Sequence, residues 1–432
     1  MKSSLNKLML LIYRYLTLFL FPLFVILIYF RSVFNKEDKI RFKEKIFSNH
    51  FKSCKDDAKK LIWFHAASIG ECLSILPLID EINSKHNNIN FLITTVTLSS
   101  SKLLERKISE KQKNIVHRFF PLDLESLAEN FLNDWKPDLV CFVDSEIWPN
   151  FLLKIKEKKI PLLLVNARLT QKSFKRWKII PSFAKKIFNQ FDLCLPASEE
   201  SKNNLMNLQV KNLKYIGNLK FSVQTSQDKI DSLDKKILDN YKTWCAASTH
   251  NSEEIVILKT HIEIKKRYNK VLTIIVPRHV DRSLHIKNLS KKFNLNVQIL
   301  NDHSSISSNV EVLIINSFGV LPKYFNYCKN IFIGKSLVKK KQNIGGQNPI
   351  EAAKLGCKIF HGPYVYNFKE IYDFLKSMDI TEKINNEKEL SIKLIKNFKN
   401  IPVVDQKKLD LLNVYGEKIL KETALEIDAF LK

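Results

Sequence analysis

The sequence predicts an α/β protein of two doubly wound domains behind an N-terminal apolar helix. Three observations carry this. From about residue 60, short β-branched runs alternate with helix-like stretches, the pattern of parallel sheets with crossover helices. The alternation lapses over the polar stretch 224–240, which reads as a linker or a surface helix, and then restarts. A length of 432 residues leaves room for two ordinary domains plus an extra segment.

Residues 8–30 are almost wholly apolar, interrupted by Arg14, Thr17 and Pro22. About 20 such residues span a bilayer, so the length permits a membrane anchor, with Arg14 near one end able to snorkel. No small-residue cleavage pattern follows, which argues against a removed signal peptide. Arg31, Lys36, Lys39, Arg41, Lys43 and Lys45 come next and place that flank on the cytoplasmic side. A helix that spans and a helix that lies in the interface both fit this pattern, and a buried core helix is the bland alternative.

In the first half, strands are expected at 61–65, 90–96, 115–120, 138–143, 160–165 and 192–196, with helical patterns at 71–83, 124–135 and 199–208. In the second half they fall at 243–247, 271–276, 310–315, 330–333 and 358–361. A helix over 252–266 shows Ile255, Leu258 and Ile262 on one face. The resulting segmentation is an anchor at 1–35, a domain at 36–220, a linker at 221–240, a second domain at 241–400 and a terminal helix at 401–432.

Composition bounds the partners. The net charge is +26, and only ten of the 70 basic residues are arginine. Such a surface favours anionic partners, whether nucleic acid, anionic lipid or phosphorylated substrate. The seven scattered cysteines form no CxxC, which argues against zinc and disulfide frameworks and for a reduced cytosolic setting.

Ligands of doubly wound sheets bind beyond the carboxyl ends of the strands. Eight of the nine glycines fall in or beside those turns, as do Arg168, Arg176, Arg278 and Arg282. Each motif there has a bland reading. Glu71 either favours a helix dipole or acts as a base. Asp144 and Glu146 either cap the helix near Pro149 or do chemistry. Asn251 fits an N-cap, with Glu254 three residues later. Arg278 is either a phosphate contact or a surface charge. Gly345-Gly346 are either a tight turn or the approach to an anion-binding helix start at Pro349, with Glu351 placed for ribose hydroxyls. There is no GxxxxGK[ST] and no GxGxxG, so P-loop and dinucleotide readings are weak.

The ordered set HAASIGE (65–71), SEIWPN (145–150), NARLT (166–170), GNLKF (217–221), ASTHNSEE (247–254), PRHVDR (277–282) and GGQNPIE (345–351) resembles the 3-deoxy-D-manno-octulosonic acid (Kdo) transferases. That resemblance implies a GT-B fold, two Rossmann-like domains facing a cleft, on the cytoplasmic face of the inner membrane. It further implies inverting transfer of Kdo from CMP-Kdo to a phosphorylated lipid A precursor, with no catalytic metal and no cofactor. By the resemblance, 36–220 is the acceptor domain and 241–400 the CMP-Kdo domain. Glu71 is the implied general base, and Glu146 and Lys220 assist the transition state. Nucleotide contacts map to Pro277, Arg278, Phe318, Gly319, Val320, Gly345, Gly346, Asn348, Pro349, Ile350 and Glu351.

The chain departs from the family pattern at several points. It has Asp144 where many members have Glu, Lys335 where Gly is expected, and Gln347 for a common His. A longer loop occupies 339–344. Val320 stands where many members place Glu, so the contact there either comes from backbone or has been lost. A nucleotide-sugar epimerase, a different lipid glycosyltransferase and a basic nucleic-acid-binding protein are the competing readings. The dispersed charge and the lack of an RNA-binding signature argue against the last.

Overall fold

The structure is a computed structural model that describes residues 2–52, 58–86, 88–108, 114–226, 228–302, 304–317, 319–338, 345–400 and 405–431. Phe318 and the loop 339–344 lie outside the described residues. The chain folds as two compact units, 1–223 with 415–432, and 224–414.

Unit 1 opens with the long helix α1 (Lys2–Val33), followed by short 3-10 turns. Strand β1 (Lys60–His65) then leads to α2 (Ile69–Lys85), β2 (Ile89–Thr95) to α3 (Leu98–Lys107), and β3 (Ile115–Phe119) to α4 (Glu125–Trp135). Next come β4 (Leu139–Val143), α5 (Pro149–Glu157), β5 (Leu162–Ala167), α6 (Gln171–Trp177), α7 (Pro181–Phe188), β6 (Leu193–Pro196) and α8 (Glu199–Asn207). The sheet order is β3-β2-β1-β4-β5-β6, and every pairing is parallel. Strand β4 is buried along its whole length and β1 from Leu61 onward, as expected of strands covered by helices on both faces. Trp63 centres the core, with its ring against those of Phe131, Phe142 and Phe151. The direction of winding reverses between β1 and β4, so their carboxyl ends form the switch point where such folds bind ligands.

Unit 2 runs α9 (Ser232–Leu238), β7 (Lys242–Thr249), α10 (Glu253–Lys265), β8 (Val271–Pro277), α11 (Ser283–Lys292), β9 (Val297–Leu300) and β10 (Val312–Ile315). It continues through α12 (Leu321–Cys328), β11 (Asn330–Ile333), α13 (Ile350–Lys354), β12 (Lys358–His361), α14 (Lys369–Ser377), β13 (Thr381–Lys383) and α15 (Glu387–Lys399). Its seven parallel strands are ordered β13-β12-β11-β7-β8-β10-β9, with the switch point between β7 and β11.

The polar stretch 224–240 is more than a linker: α9 buries Leu238, and Asp234 accepts the Ile306 backbone N–H at 2.9 Å. The last helix, α16 (Gln406–Asp428), belongs from Tyr415 onward to unit 1 rather than standing as a separate segment. Tyr415 meets the Phe221 ring edge-on at 5.2 Å, and a Cβ on Gly217 would come within 2.8 Å of Ile419.

Candidate active site

The loop after β1 brings Glu71 to the switch point of unit 1. Ser68 is the N-cap of α2, and its hydroxyl donates to Glu71 Oε1 at 2.6 Å while the Ala67 N–H donates to Oε2 at 2.7 Å. This is a variant of a capping box, with the carboxylate reaching back to the N–H one residue before the cap, so the bland role of Glu71 is present in the structure. It is not the whole account. Burial, the nearby Asp144 charge and then that of Glu146 raise the Glu71 carboxyl from 4.5 to about 7. A carboxyl tuned to that range exchanges protons near neutral pH.

Asp144 and Glu146 do not cap α5. That task belongs to Asp123, from the loop after β3, whose two oxygens accept the backbone N–H groups of Asn150 at 3.2 Å and Phe151 at 3.0 Å. The two residues after β4 are thereby released for other work. Asp144 adopts φ 62°, and its backbone bridges Val165 O and Arg168 N. Its carboxylate takes the Lys220 ammonium at 3.1 Å in a nearly buried ion pair. Lys220 itself sits in a 3-10 turn (Leu219–Ser222) capped by Asn218 and tied through Leu219 N–H to Asn166.

Glu146 is held by residues to which the sequence reading assigned no role. Its Oε2 accepts the Trp148 indole N–H at 2.9 Å and faces His65 Nε2 at 3.3 Å. The other side of that imidazole meets Thr94 Oγ1 at 3.0 Å, and the donor-only Trp63 indole reaches the same hydroxyl at 2.8 Å. Nδ1 also lies 3.2 Å from the Thr94 carbonyl oxygen, so acceptors face the ring on both sides, at Thr94 and at Glu146. The imidazole also stacks on Phe120 with centroids 3.9 Å apart. His65→Phe keeps that stack and deletes both nitrogens. It is expected to lower kcat roughly tenfold, the value of one hydrogen bond to a charged group. A profile of kcat against pH tests it, because a purely structural His65 leaves both rate and profile unmoved. His65 stood inside a quoted motif, and the signal available was its place as the last residue of a strand, directly before the active loop.

The predicted nucleotide residues gather at strand ends of unit 2. Pro277 ends β8, and Arg278 follows it, its N–H on Thr249 O at 3.1 Å and its side chain exposed. Gly319, at φ 76°, and Val320 lead directly into α12, and Val320 makes no side-chain cap bond, so only backbone is on offer there. Helix α13 spans only Ile350–Lys354, too short to provide much of a macrodipole. Pro349 is its N-cap and Ile350 is buried, which leaves the exposed Asn348 and half-buried Glu351 as the polar side chains. Asn348 Oδ1 accepts the Ile350 N–H at 3.1 Å.

The glycine pair also has a steric reason within the chain itself. A Cβ on Gly345 would lie 2.2 Å from Tyr364 O, and one on Gly346, at φ 86°, 3.0 Å from Val365 Cα. The close approach they permit is to the chain's own loop after β12. The N-cap of α10 is Ser252 rather than Asn251, whose oxygen instead takes Arg282. Arg282 also pairs with Glu254 at 3.2 Å, so it is structural. Glu253 accepts the backbone N–H groups of His250, Lys335, Ser336 and Leu337 and ties the turns after β7 and β11 together. Among the described residues, no group of three or more His, Cys, Asp or Glu side chains is placed to hold a metal.

Two parallel-sheet Rossmann-like units, the first carrying a buried carboxylate at its switch point, make up a GT-B-type fold, an architecture shared by glycosyltransferases and nucleotide-sugar epimerases. Similarity to solved structures agrees on the fold. A glycosyltransferase from Rickettsia africae ESF-5 superposes with a TM-score of 0.55 at 13% identity, covering 87% of this chain and 99% of that one. A UDP-GlcNAc 2-epimerase from Neisseria meningitidis gives 0.52 at 17% identity, covering 85% and 100%.

Sequence similarity is more specific. The profile described as 3-deoxy-D-manno-octulosonic-acid transferase (kdotransferase) matches residues 41–223. The 3-deoxy-D-manno-octulosonic acid transferase of Rickettsia bellii (strain RML369-C) is 32% identical over 383 residues, 87% of this chain and 86% of that protein. Its counterpart in Rickettsia prowazekii (strain Madrid E) is 30% identical over 423 residues, 88% and 90%. The one in Haemophilus influenzae is 28% identical over 330 residues, 75% and 76%. The chain belongs to the 3-deoxy-D-manno-octulosonic acid transferase family and is a glycosyltransferase.

Proposed function

We propose that this enzyme moves Kdo from CMP-Kdo to a lipid A precursor of the lipid IVA type during lipopolysaccharide synthesis, with inversion. It works on the cytoplasmic face of the inner membrane. The observation that carries the reading is Glu71, whose carboxyl is lifted to about 7 beside Asp144 and Glu146 in a chain of this family. Glu71 takes the proton of a glucosamine hydroxyl as that oxygen bonds to the Kdo anomeric carbon. The bond from that carbon to the CMP phosphate breaks, and CMP leaves with the electron pair. Unit 2 supplies the nucleotide contacts, with Arg278 toward the phosphate and Asn348 and Glu351 toward the nucleoside. Glu146, fixed by His65 and Trp148, and the Lys220–Asp144 pair set the charge around the reacting centre.

Incubating the purified full-length protein with CMP-Kdo and a tetra-acylated lipid A precursor is expected to give a product heavier by one or more Kdo units. CMP-Kdo binding with no lipid product, read by mass spectrometry, would sink the assignment of the acceptor. EDTA is expected to leave the initial rate unchanged, because cationic side chains meet the leaving phosphate. If EDTA arrests the reaction and magnesium restores it, the metal-free scheme is wrong.

A further inference from the structure

Helix α1 is long and apolar enough over Asn6–Val33 to cross a bilayer. Its contacts point elsewhere. Along nearly its whole length one stripe is docked on unit 1. Met9, Leu10 and Phe21 pack on the main core cluster, and Phe21, Val25 and Ile28 pack on Phe42 and Ile46. The side chains at 6, 9, 10, 13, 14, 17, 20, 21, 25, 28 and 32 are the ones at least partly covered, a helical spacing of three and four.

Asn6, Tyr13, Arg14, Thr17 and Ser32 sit on that covered stripe, while Lys7 and Arg31 are exposed toward the two ends of the helix. The Tyr13 hydroxyl donates to Asp123 Oδ2 at 2.6 Å, and Arg14 pairs with Glu125 at 3.1 Å. Ser32 is buried, and Arg31 next to it pairs with Glu37, which in turn holds the buried Lys45. The outward face is the inverse. Leu8, Ile12, Tyr15, Phe19, Leu27 and Phe30 are all more than half exposed, at 54–82%.

A helix cannot keep this docking and cross a membrane. From Met9 to Ser32 the docked stripe covers roughly 35 Å at about 1.5 Å per residue, against a hydrocarbon thickness of about 30 Å. Crossing would strip α1 from Asp123, Phe42 and Ile46 and carry an unpaired Arg14 into lipid. Lying flat satisfies both faces, with polar groups toward the protein and apolar groups toward acyl chains. The charge around the stripe selects the occupant. Lys36, Lys39 and Lys43 are exposed past its end, and Lys172, Lys175, Arg176 and Lys178 are exposed on and just after α6, next to the exposed Ile179 and to α7, which packs on α1. The acidic neighbours Glu125 and Glu157 are already paired with Arg14 and Lys154. A second copy of a +26 chain would meet this rim with like charge, whereas an anionic leaflet meets it with opposite charge.

We propose that α1 is a monotopic anchor that lies in one leaflet of an anionic bilayer, docked on unit 1, with the N-terminus on the same side of the membrane as the folded units. This rests on the membrane association proposed above and goes beyond it by fixing the topology. The test places a cysteine at Ser3 (S3C) or, as a reference on unit 1, at Asn207 (N207C) in the full chain, with the unsubstituted chain as the blank. Sealed membrane vesicles of both orientations are then treated with an impermeant maleimide. Both cysteines are expected to label in the same preparation. Labelling of the two from opposite sides overturns the in-plane topology while leaving membrane association standing. Flotation of the purified protein with phosphatidylglycerol vesicles and with phosphatidylcholine vesicles is the second arm. Stronger binding to the anionic vesicles is expected. A protein that binds neither and sediments as a dimer overturns both the topology and the membrane reading, with a second copy as the occupant.

Discussion

Glu71→Gln is expected to lower transfer by roughly a hundredfold or more, the range over which a positioned general base acts. The substitution is informative because Gln preserves what is structural about the residue. A capping box accepts Glu or Gln at this position, so the amide oxygen still takes an N–H or hydroxyl from the Ala67–Ser68 turn. The loss of stability is accordingly about 1 kcal/mol or less, in the range of a weakened cap. Basicity is lost altogether. In the parent enzyme the Glu71 carboxyl, raised to about 7 by burial and by Asp144, must be ionised to accept a proton. The kcat/KM profile therefore climbs as pH rises through that region, and Glu71→Gln flattens the climb. CMP-Kdo binding, measured by calorimetry, is expected to persist, because its proposed contacts are carried by unit 2. A folded Glu71→Gln protein with near-parent turnover would refute the base assignment and shift it to Glu146.

The alternating architecture was legible because most of its strands are continuous apolar runs, buried along most of their length, and lie close to where that pattern places them. Strands β9 and β13 were not legible. Val297–Leu300 is an edge strand, half-buried and mixed with polar residues, and Thr381–Lys383 is three residues of edge with one buried side chain. Neither has an apolar run to detect. Sequence spacing also misassigned caps, because a cap is a contact in space. Asp123 lies more than twenty residues before the helix it caps, so Asp144 and Glu146 looked like equally good candidates for that role. Spacing also could not show that Gly345 packs against a carbonyl nineteen residues away at Tyr364. Glu71 was visible as one acidic residue at a helix start. Its tuning was not, since that comes from burial and two carboxylates on another strand end.

The buried pair behind that tuning supplies the other large effect, through Lys220→Met. The Asp144 and Lys220 side chains are 5% and 12% exposed and 3.1 Å apart. Removing one partner of such a pair strands the other, which costs about 3–5 kcal/mol. Chemical denaturation of Lys220→Met is expected to show a loss of that order. Turnover is expected to fall as well, and the rising limb of the pH profile to move upward, because Asp144 without its cation repels a second negative charge at Glu71 more strongly. Asp144→Asn alone moves the limb the other way, since it removes the largest charge acting on Glu71. The combination separates scaffold from chemistry. In Asp144→Asn with Lys220→Met no stranded charge is left, so stability returns toward the parent value. If Lys220 acts only by neutralising Asp144, turnover returns with it. Turnover is instead expected to stay low if, as proposed, the ammonium also stabilises the charge that develops as CMP departs. A double variant that is both stable and fully active would remove Lys220 from the chemistry and leave it a purely structural partner of Asp144.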